Sequence, residues 1–482
     1  MALFATYWDD SWHTDKGRDE FAIPPHLLLY GGVALTSLAV LAWGLSARRS
    51  YGTVRRTLAE PAVLLAGLGG ISTLASAPID NAWHELFGRD AVLWSPPHLL
   101  ALTGSLALSV GVLAGLRSTT GRGAASARLL AAAGVIGALQ VLVLEYDSDV
   151  PQFSTMLFLP VAALGVCLAV AMLDDLLPGR WEAAKAAVVY TVLRIAVVGF
   201  LALSGSSLTV VPPVLVLLVL VAVFASVPMA ARLVGIGALA PLVWWPVLQL
   251  QGAVTTRVPA GQLPVSVVLG ATAGALVAWV HGDWRATRAG LAAAPRAMVV
   301  VAILAVGLGG LPGRAWAHDP GQGTEVLEGQ LTVQRSGRRA ELMFTLPAPC
   351  LTLVPERTVA RRAGRSRTGP LTASEASGGR CRLGGTVSGL MPGRWFVYAE
   401  LRDASGRRLE AWLPATDDGT VSEDRALYEP PAASAPGAQI FGGGALSVLV
   451  AGLVLACVRL SKQVASGQTV GRPADGSRTT GP

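Results

Sequence analysis

Two stretches of this chain repeat one chemical pattern. Residues 9–28 read DDSWHTDKGRDEFAIPPHLL and residues 80–100 read DNAWHELFGRDAVLWSPPHLL. Each holds Asp-x-x-Trp-His, then Gly-Arg-Asp, then Pro-Pro-His-Leu-Leu. Asp9, His13 and His26 stand at relative positions 0, 4 and 17, and Asp80, His84 and His98 at 0, 4 and 18; four of the six histidines fall in these two triplets. A carboxylate with two imidazoles is a set of metal ligands. Such a set suits copper, zinc or non-haem iron, and ligand type alone does not choose among them. An Asp and a His four apart on a helix share one face, about one turn apart. Pro-Pro fits the first turn of a helix, so each second histidine is expected at a helix mouth. The connecting loop, twelve residues in one copy and thirteen in the other, can fold back to bring it to the first pair. Trp12 and Trp83 suit an interfacial belt. Arg18 and Arg89, within the Gly-Arg-Asp runs, are expected to shape the loops and hold the carboxylates from behind.

The elements that position these residues are membrane spans. The chain is 52% hydrophobic and 14% charged, against about 25% charged in soluble domains. The expected class is an all-α polytopic membrane protein with an extracytoplasmic β-sandwich before its last helix. Apolar runs of spanning length fall near 27–47, 60–79, 97–117, 126–145, 153–173, 183–203, 208–229, 231–250, 263–281, 296–314 and 440–459, eleven in all. The pair 208–229 and 231–250 is joined by the shortest connection. With the N-terminus outside, thirteen Lys and Arg lie in the inner loops, from Arg48 to Arg296, against four (Lys16, Arg18, Arg89, Arg257) in the outer segments before the tenth helix. That is the positive-inside bias. It places both triplets on the outer face of a bacterial-type cytoplasmic membrane, with the C-terminus cytoplasmic. The net charge of +7 is then a topology signal and gives no case for nucleic acid; lipid is the partner the composition implies.

Seven segments follow from this pattern. Residues 1–25 form an outer amphipathic segment and no signal peptide, 26–117 a three-helix unit with both triplets, and 118–315 seven further helices. Residues 318–428 alternate polar and apolar as short strands do, with a hairpin turn at Asp403-Ala-Ser-Gly406, and suggest a small sandwich. A Pro/Ala linker (429–439), a last helix (440–459) and a Gly/Ser/Arg-rich cytoplasmic tail (460–482), expected to be disordered, complete the chain. Cys167 and Cys457 fall inside spans as packing residues. Cys350 and Cys381 lie in the outer domain, where a disulfide is permitted, and nothing supports a cysteine-based zinc site. The run after Arg285, Arg288 and Arg296 ends in Ala315-Trp-Ala317 before His318, the layout of a secretory signal with an A-x-A end. Uncut, it is a helix with a small-residue end; cut, it frees the His318 amine and imidazole to chelate a metal.

Other residues have a plain reading beside a functional one. Glu145, Asp147 and Asp149 cluster at an outer helix end, either as a solvated cap or as accessory carboxylates of the site. Arg194 lies mid-span, where charge is costly and needs a partner, which the sequence does not identify. His281 reads as snorkelling from an inner helix end.

The stretch WHTDKGRDEFAIPPHLLLY resembles the signature of the C subunit of particulate methane and ammonia monooxygenases, whose adjacent helices carry an Asp-x3-His-x12-His and an Asn-x3-His-x13-His copper set. The resemblance covers about residues 5–118. It implies one copper site at Asp9, His13 and His26 and a neighbouring one at Asp80, His84 and His98, with iron or zinc as the alternative metals. It also implies dioxygen activation for oxidation of a small hydrophobic substrate, alongside other monooxygenase subunits. Asp80 stands where the family has Asn, the family's earlier helices are missing, and the helices after 118 have no counterpart. The outer domain resembles, more distantly, the copper-binding B subunit and CopC-type copper carriers, without the paired histidines of the B subunit. The duplicated sites and extra helices equally fit copper acquisition and delivery to an extracytoplasmic cuproenzyme. A chain of seven methionines gives that reading few thioethers for Cu(I).

Overall fold

The structure, a computed structural model, describes residues 1–16, 22–87, 92–286, 324–362, 365–376, 378–416, 418–430 and 436–465. Its helices are α1 (Ala2–Asp15), α2 (Pro24–Tyr51), α3 (Val54–Leu58), α4 (Pro61–Phe87), α5 (Pro96–Leu116), α6 (Ala124–Gln140), α7 (Leu144–Asp147), α8 (Phe158–Leu176), α9 (Glu182–Leu203), α10 (Val214–Val223), α11 (Met229–Leu250), α12 (Leu263–Ala286) and α13 (Pro436–Ala465). Among the described residues nine helices are long and apolar enough to cross a membrane. They are α2, α4, α5, the continuous path from α6 into α7, α8, α9, α11, α12 and α13.

The span expected at 208–229 forms differently. Only Val214–Val223 is helical, and residues 207–213 run non-helically. Pro212-Pro213 accounts for the break, since proline supplies no amide to the helix ladder. The non-helical backbone is held by protein: the Val210 amide donates to the Asp147 carbonyl (3.0 Å), and the Val210 carbonyl and Thr209 hydroxyl accept from Arg194. Irregular backbone at membrane depth is tolerated where neighbouring protein satisfies it. The span expected at 296–314 lies outside the described residues.

Helix α1 is no surface segment. It runs back along α2, so that Met1 and Ala2 lie against Gly32 while His13 meets His26. Phe4 and Trp8 pack their rings on Phe200 of α9 at 4.7 and 5.4 Å, and Leu3 reaches Gly137 of α6. Helices α4 and α5 approach at small residues, as membrane helices do. A Cβ on Gly104 would meet the Thr73 hydroxyl at 2.6 Å and the Thr73 amide at 2.9 Å, so only glycine permits that distance.

Nine strands form the other part: β1 (Thr324–Ser336), β2 (Arg339–Leu346), β3 (Leu353–Arg362), β4 (Arg365–Gly369), β5 (Leu371–Ala376), β6 (Arg380–Ser388), β7 (Trp395–Asp403), β8 (Arg408–Ala415) and β9 (Gly419–Glu429). They make one antiparallel, sandwich-like sheet in the order β4-β3-β7-β8-β9-β1-β2-β6-β5. The two outermost strands are consecutive in the chain, separated only by Pro370. The sheet therefore curls round a core that includes Leu331, Phe344, Leu383, Trp395, Leu409 and Leu427. The expected hairpin is β7–β8, closed by Asp403 and Arg407 with Gly406 at φ 85°. Cys350 and Cys381 are disulfide-bonded, with Cα atoms 4.7 Å apart; Cys167 and Cys457 are free and buried.

The sheet sits on the end of the bundle that carries His26. Val150 packs in a cluster with Val359, Phe396, Tyr398 and Trp412. At the other end of the bundle Arg232 pairs with Asp174 at 2.9 Å, and His281 is bonded to Asp175 at 3.0 Å. His281 is 4% exposed, so it does not snorkel; a buried imidazole is kept where a carboxylate satisfies it.

Candidate metal centre

His26 is placed by the prolines before it. Pro24 and Pro25 start α2, with φ already helical and no amides left orphaned, so the imidazole stands in the first turn at the bundle end. Asp9 and His13 lie one turn apart on α1, seated by the Phe200 contacts and by Tyr7, whose ring stacks on the Arg194 guanidinium at 3.5 Å. The Asp9 Oδ1 is 3.4 Å from His13 Nε2 and 3.2 Å from His26 Nε2. One ligand atom from each of the three lies within 4.8 Å of the others. A tetrahedral site with bonds of about 2.0–2.1 Å sets its ligand atoms about 3.3 Å apart. The two measured separations match that spacing, and the donor set fits a borderline metal such as copper or zinc.

The electrostatics agree with a cation site. Burial opposes ionisation of Asp9, but the His13 and His26 imidazoles beside it more than offset this and hold the carboxyl far below the usual carboxylate range. Asp10, the next residue, turns the other way. Burial pushes its carboxyl up to about 7, against a hydrogen bond from Ser148 and the charge of His13. The α1 end is fixed by Asp15, whose carboxylate accepts from the Ser207 amide (2.7 Å) and hydroxyl (2.5 Å). The non-helical segment before α10 thus also anchors the helix that carries Asp9 and His13.

The second triplet is described in part. Asp80 Oδ2 lies 3.4 Å from His98 Nε2. His98 Nδ1 is 2.9 Å from the Ser95 hydroxyl, which also caps α5 by accepting from the His98 amide. Fixing one ring nitrogen leaves the other directed at the carboxylate, as is common for metal-bound histidines. His84 lies on α4 one turn beyond Asp80, but its side chain, like Arg18, Arg89 and His318, lies outside the described residues. Trp83 packs against Gly442 and Gly443 of α13.

The outer carboxylates do other work. Glu145 accepts from the Leu93 amide at 3.1 Å. Asp147 pairs with Arg194 at 3.7 Å, both fully buried, which supplies the partner that the sequence left unnamed. Asp149, an expected accessory to the site, binds the sheet domain: Arg362 Nη2 at 2.6 Å and the Arg394 amide at 2.9 Å. Its φ of 56° is a left-handed conformation that Asp tolerates better than most residues. Sequence reading passed over Ser95, Asp10 and Arg425. Ser95 carried a signal, since Ser before Pro-Pro is a helix cap; the other two meet their partners only in three dimensions. Comparison with protein-family models, curated proteins and solved structures finds no match to this chain.

Proposed function

We propose that this chain is a copper-binding membrane protein of the copper monooxygenase type, with Asp9, His13 and His26 as one site and Asp80, His84 and His98 as a second. The observation that carries the reading is the convergence of Asp9, His13 and His26 from two helices at ligand-to-ligand spacing. Copper held there by neutral imidazoles supplies the redox chemistry by which dioxygen oxidises a small hydrophobic substrate. The protein's part is to hold three donors and leave the remaining positions open. Asp9 supplies one negative charge, Ser95 orients His98, and the surrounding helices exclude water while admitting apolar molecules from the lipid. Orientation follows from the arginine bias, with α1 and the sheet domain outside and the C-terminus in the cytoplasm.

The test is metal analysis of the purified chain beside His13→Ala, His84→Ala and the double variant, followed by oxygen consumption with small hydrocarbons. Each single variant is expected to lose one copper per chain and the double variant both. Equal copper in wild type and double variant sinks the proposal. Copper uptake that depends on both sites, without any oxygen consumption, moves the reading to copper delivery.

A further inference from the structure

The sheet domain holds the end of α1 directly and reaches its middle through Asp149. Beyond His13, Arg425 of β9 donates from Nη2 to the Asp15 carbonyl at 2.6 Å and from Nη1 to the Lys16 carbonyl at 2.5 Å. Those are carbonyls at the C-terminal end of α1, where a cation both satisfies orphan acceptors and meets the negative end of the helix dipole. Arg425 is 7% exposed, its guanidinium lies 5.1 Å over the Trp412 ring, and Glu423 pairs with it at 2.9 Å. Before His13, the link runs through Asp149. Arg362 and the Arg394 amide hold its carboxylate, its neighbour Ser148 lies beside the Asp10 carboxyl, and Asp10 adjoins Asp9. The Arg394 charge lies in the field of Asp149, Asp15 and Asp10 together. The segment that carries residues 9 and 13 is thus tied directly beyond His13, and through Asp149 next to Asp9, to a domain more than 300 residues away in sequence. The third ligand, His26, is on a different helix. Its distance from the other two depends on how α1 is seated against α2.

We infer that the sheet domain acts as a clamp that sets the geometry of the Asp9–His13–His26 site, with Arg425 and Asp149 as its positioning residues, so that domain docking and metal binding are coupled. This rests on the metal reading of that site. Coupling between two events is reciprocal, which gives two independent readouts. Residues that support ligands from outside typically change metal affinity 10- to 100-fold when lost.

The experiment uses the full-length chain in detergent, titrated with Cu(II) against a competing chelator, with electron paramagnetic resonance on the bound metal. In Arg425→Ala and Asp149→Asn, affinity at the first site is expected to fall about tenfold and the copper spectrum to change. Arg425→Lys, which keeps a cation over the same carbonyls, restores most of the affinity, and Arg365→Ala on exposed β4 leaves it unchanged. In the wild type, where no variant can fail to fold, copper is expected to slow amide exchange in β7 and β9. Wild-type affinity and spectrum in both Arg425→Ala and Asp149→Asn overturn the clamp, and so does copper binding with unaltered exchange in those strands. If the wild type takes up no copper at all, the metal reading itself fails and the clamp with it.

Discussion

At the residue scale, the two imidazoles of the first site set a pH dependence. Protons and metal compete for the same nitrogen lone pairs, and an unperturbed imidazole takes up its proton near pH 6.5. On the proposed copper reading, affinity is therefore expected to fall as the pH is lowered and protons displace the metal. A chelator-competition titration at a series of pH values checks this, and an affinity independent of pH excludes imidazole ligation. The grouping of Asp9, His13 and His26 was legible because each placement depends on local rules. A four-residue spacing places Asp9 with His13, and Pro-Pro places His26 in a first turn. The partner of Asp149 was not legible for the opposite reason: Arg362 lies 213 residues away, and no local pattern reports such a distance. Asp403 shows a charge whose effect is local throughout. Hydrogen bonds from the Ser405 hydroxyl lead, with others from Arg407, and hold its carboxyl down to about 2. A lowered carboxyl stabilises the fold above its unfolded value, and that contribution is lost as pH falls towards about 2. Asp403→Asn should remove this part of the acid response, which tryptophan fluorescence during an acid titration can follow.

At the scale of elements, Arg194 shows what holds an irregular segment inside a bundle. Its guanidinium stacks on Tyr7, pairs with Asp147 and donates to Thr209 and Val210. Four elements thus meet at one buried cation: α1, the end of α7, α9 and the non-helical run before α10. Losing one partner of a buried pair costs about 3–5 kcal/mol, because the other charge is stranded. Arg194→Leu should therefore lower thermal stability sharply, and adding Asp147→Asn should recover part of the loss. Strictly additive losses in a double-mutant cycle would show that the two groups do not interact. Nine of the expected spans coincide with long apolar helices among the described residues, because length and hydropathy suffice for a regular helix. The segment 208–229 has the hydropathy of a span but only a ten-residue helix. Its other half depends on Arg194 reaching Thr209 and Val210, a pairing that no window average contains.

At the scale of the whole molecule, two kinds of structure are joined on one surface. The helical part follows from composition, and the strand part was legible as alternation with one marked turn. Its closure was not, because β1 pairs β9 across some ninety residues, as at Thr332 and Ser422. The disulfide staples this part across a sequence separation of 31. Closing a loop of that length removes unfolded-chain entropy equivalent to about 3–4 kcal/mol. Cys350→Ser with Cys381→Ser should lower the unfolding transition of the sheet domain by that amount while leaving the helical signal in circular dichroism intact. Loss of both signals together would mean that the bundle depends on the strands for its own stability.

The interruption at Pro370 has a further effect. Since β4 and β5 flank it, among the described residues the curled sheet ends in two short rims, of five and six residues, and the first of these carries Arg365 and Arg367. Short, cationic rims bounded by proline are poor templates for strand addition from another chain. Neighbouring copies of the sheet domain are then poorly equipped to stitch edge to edge into fibrils.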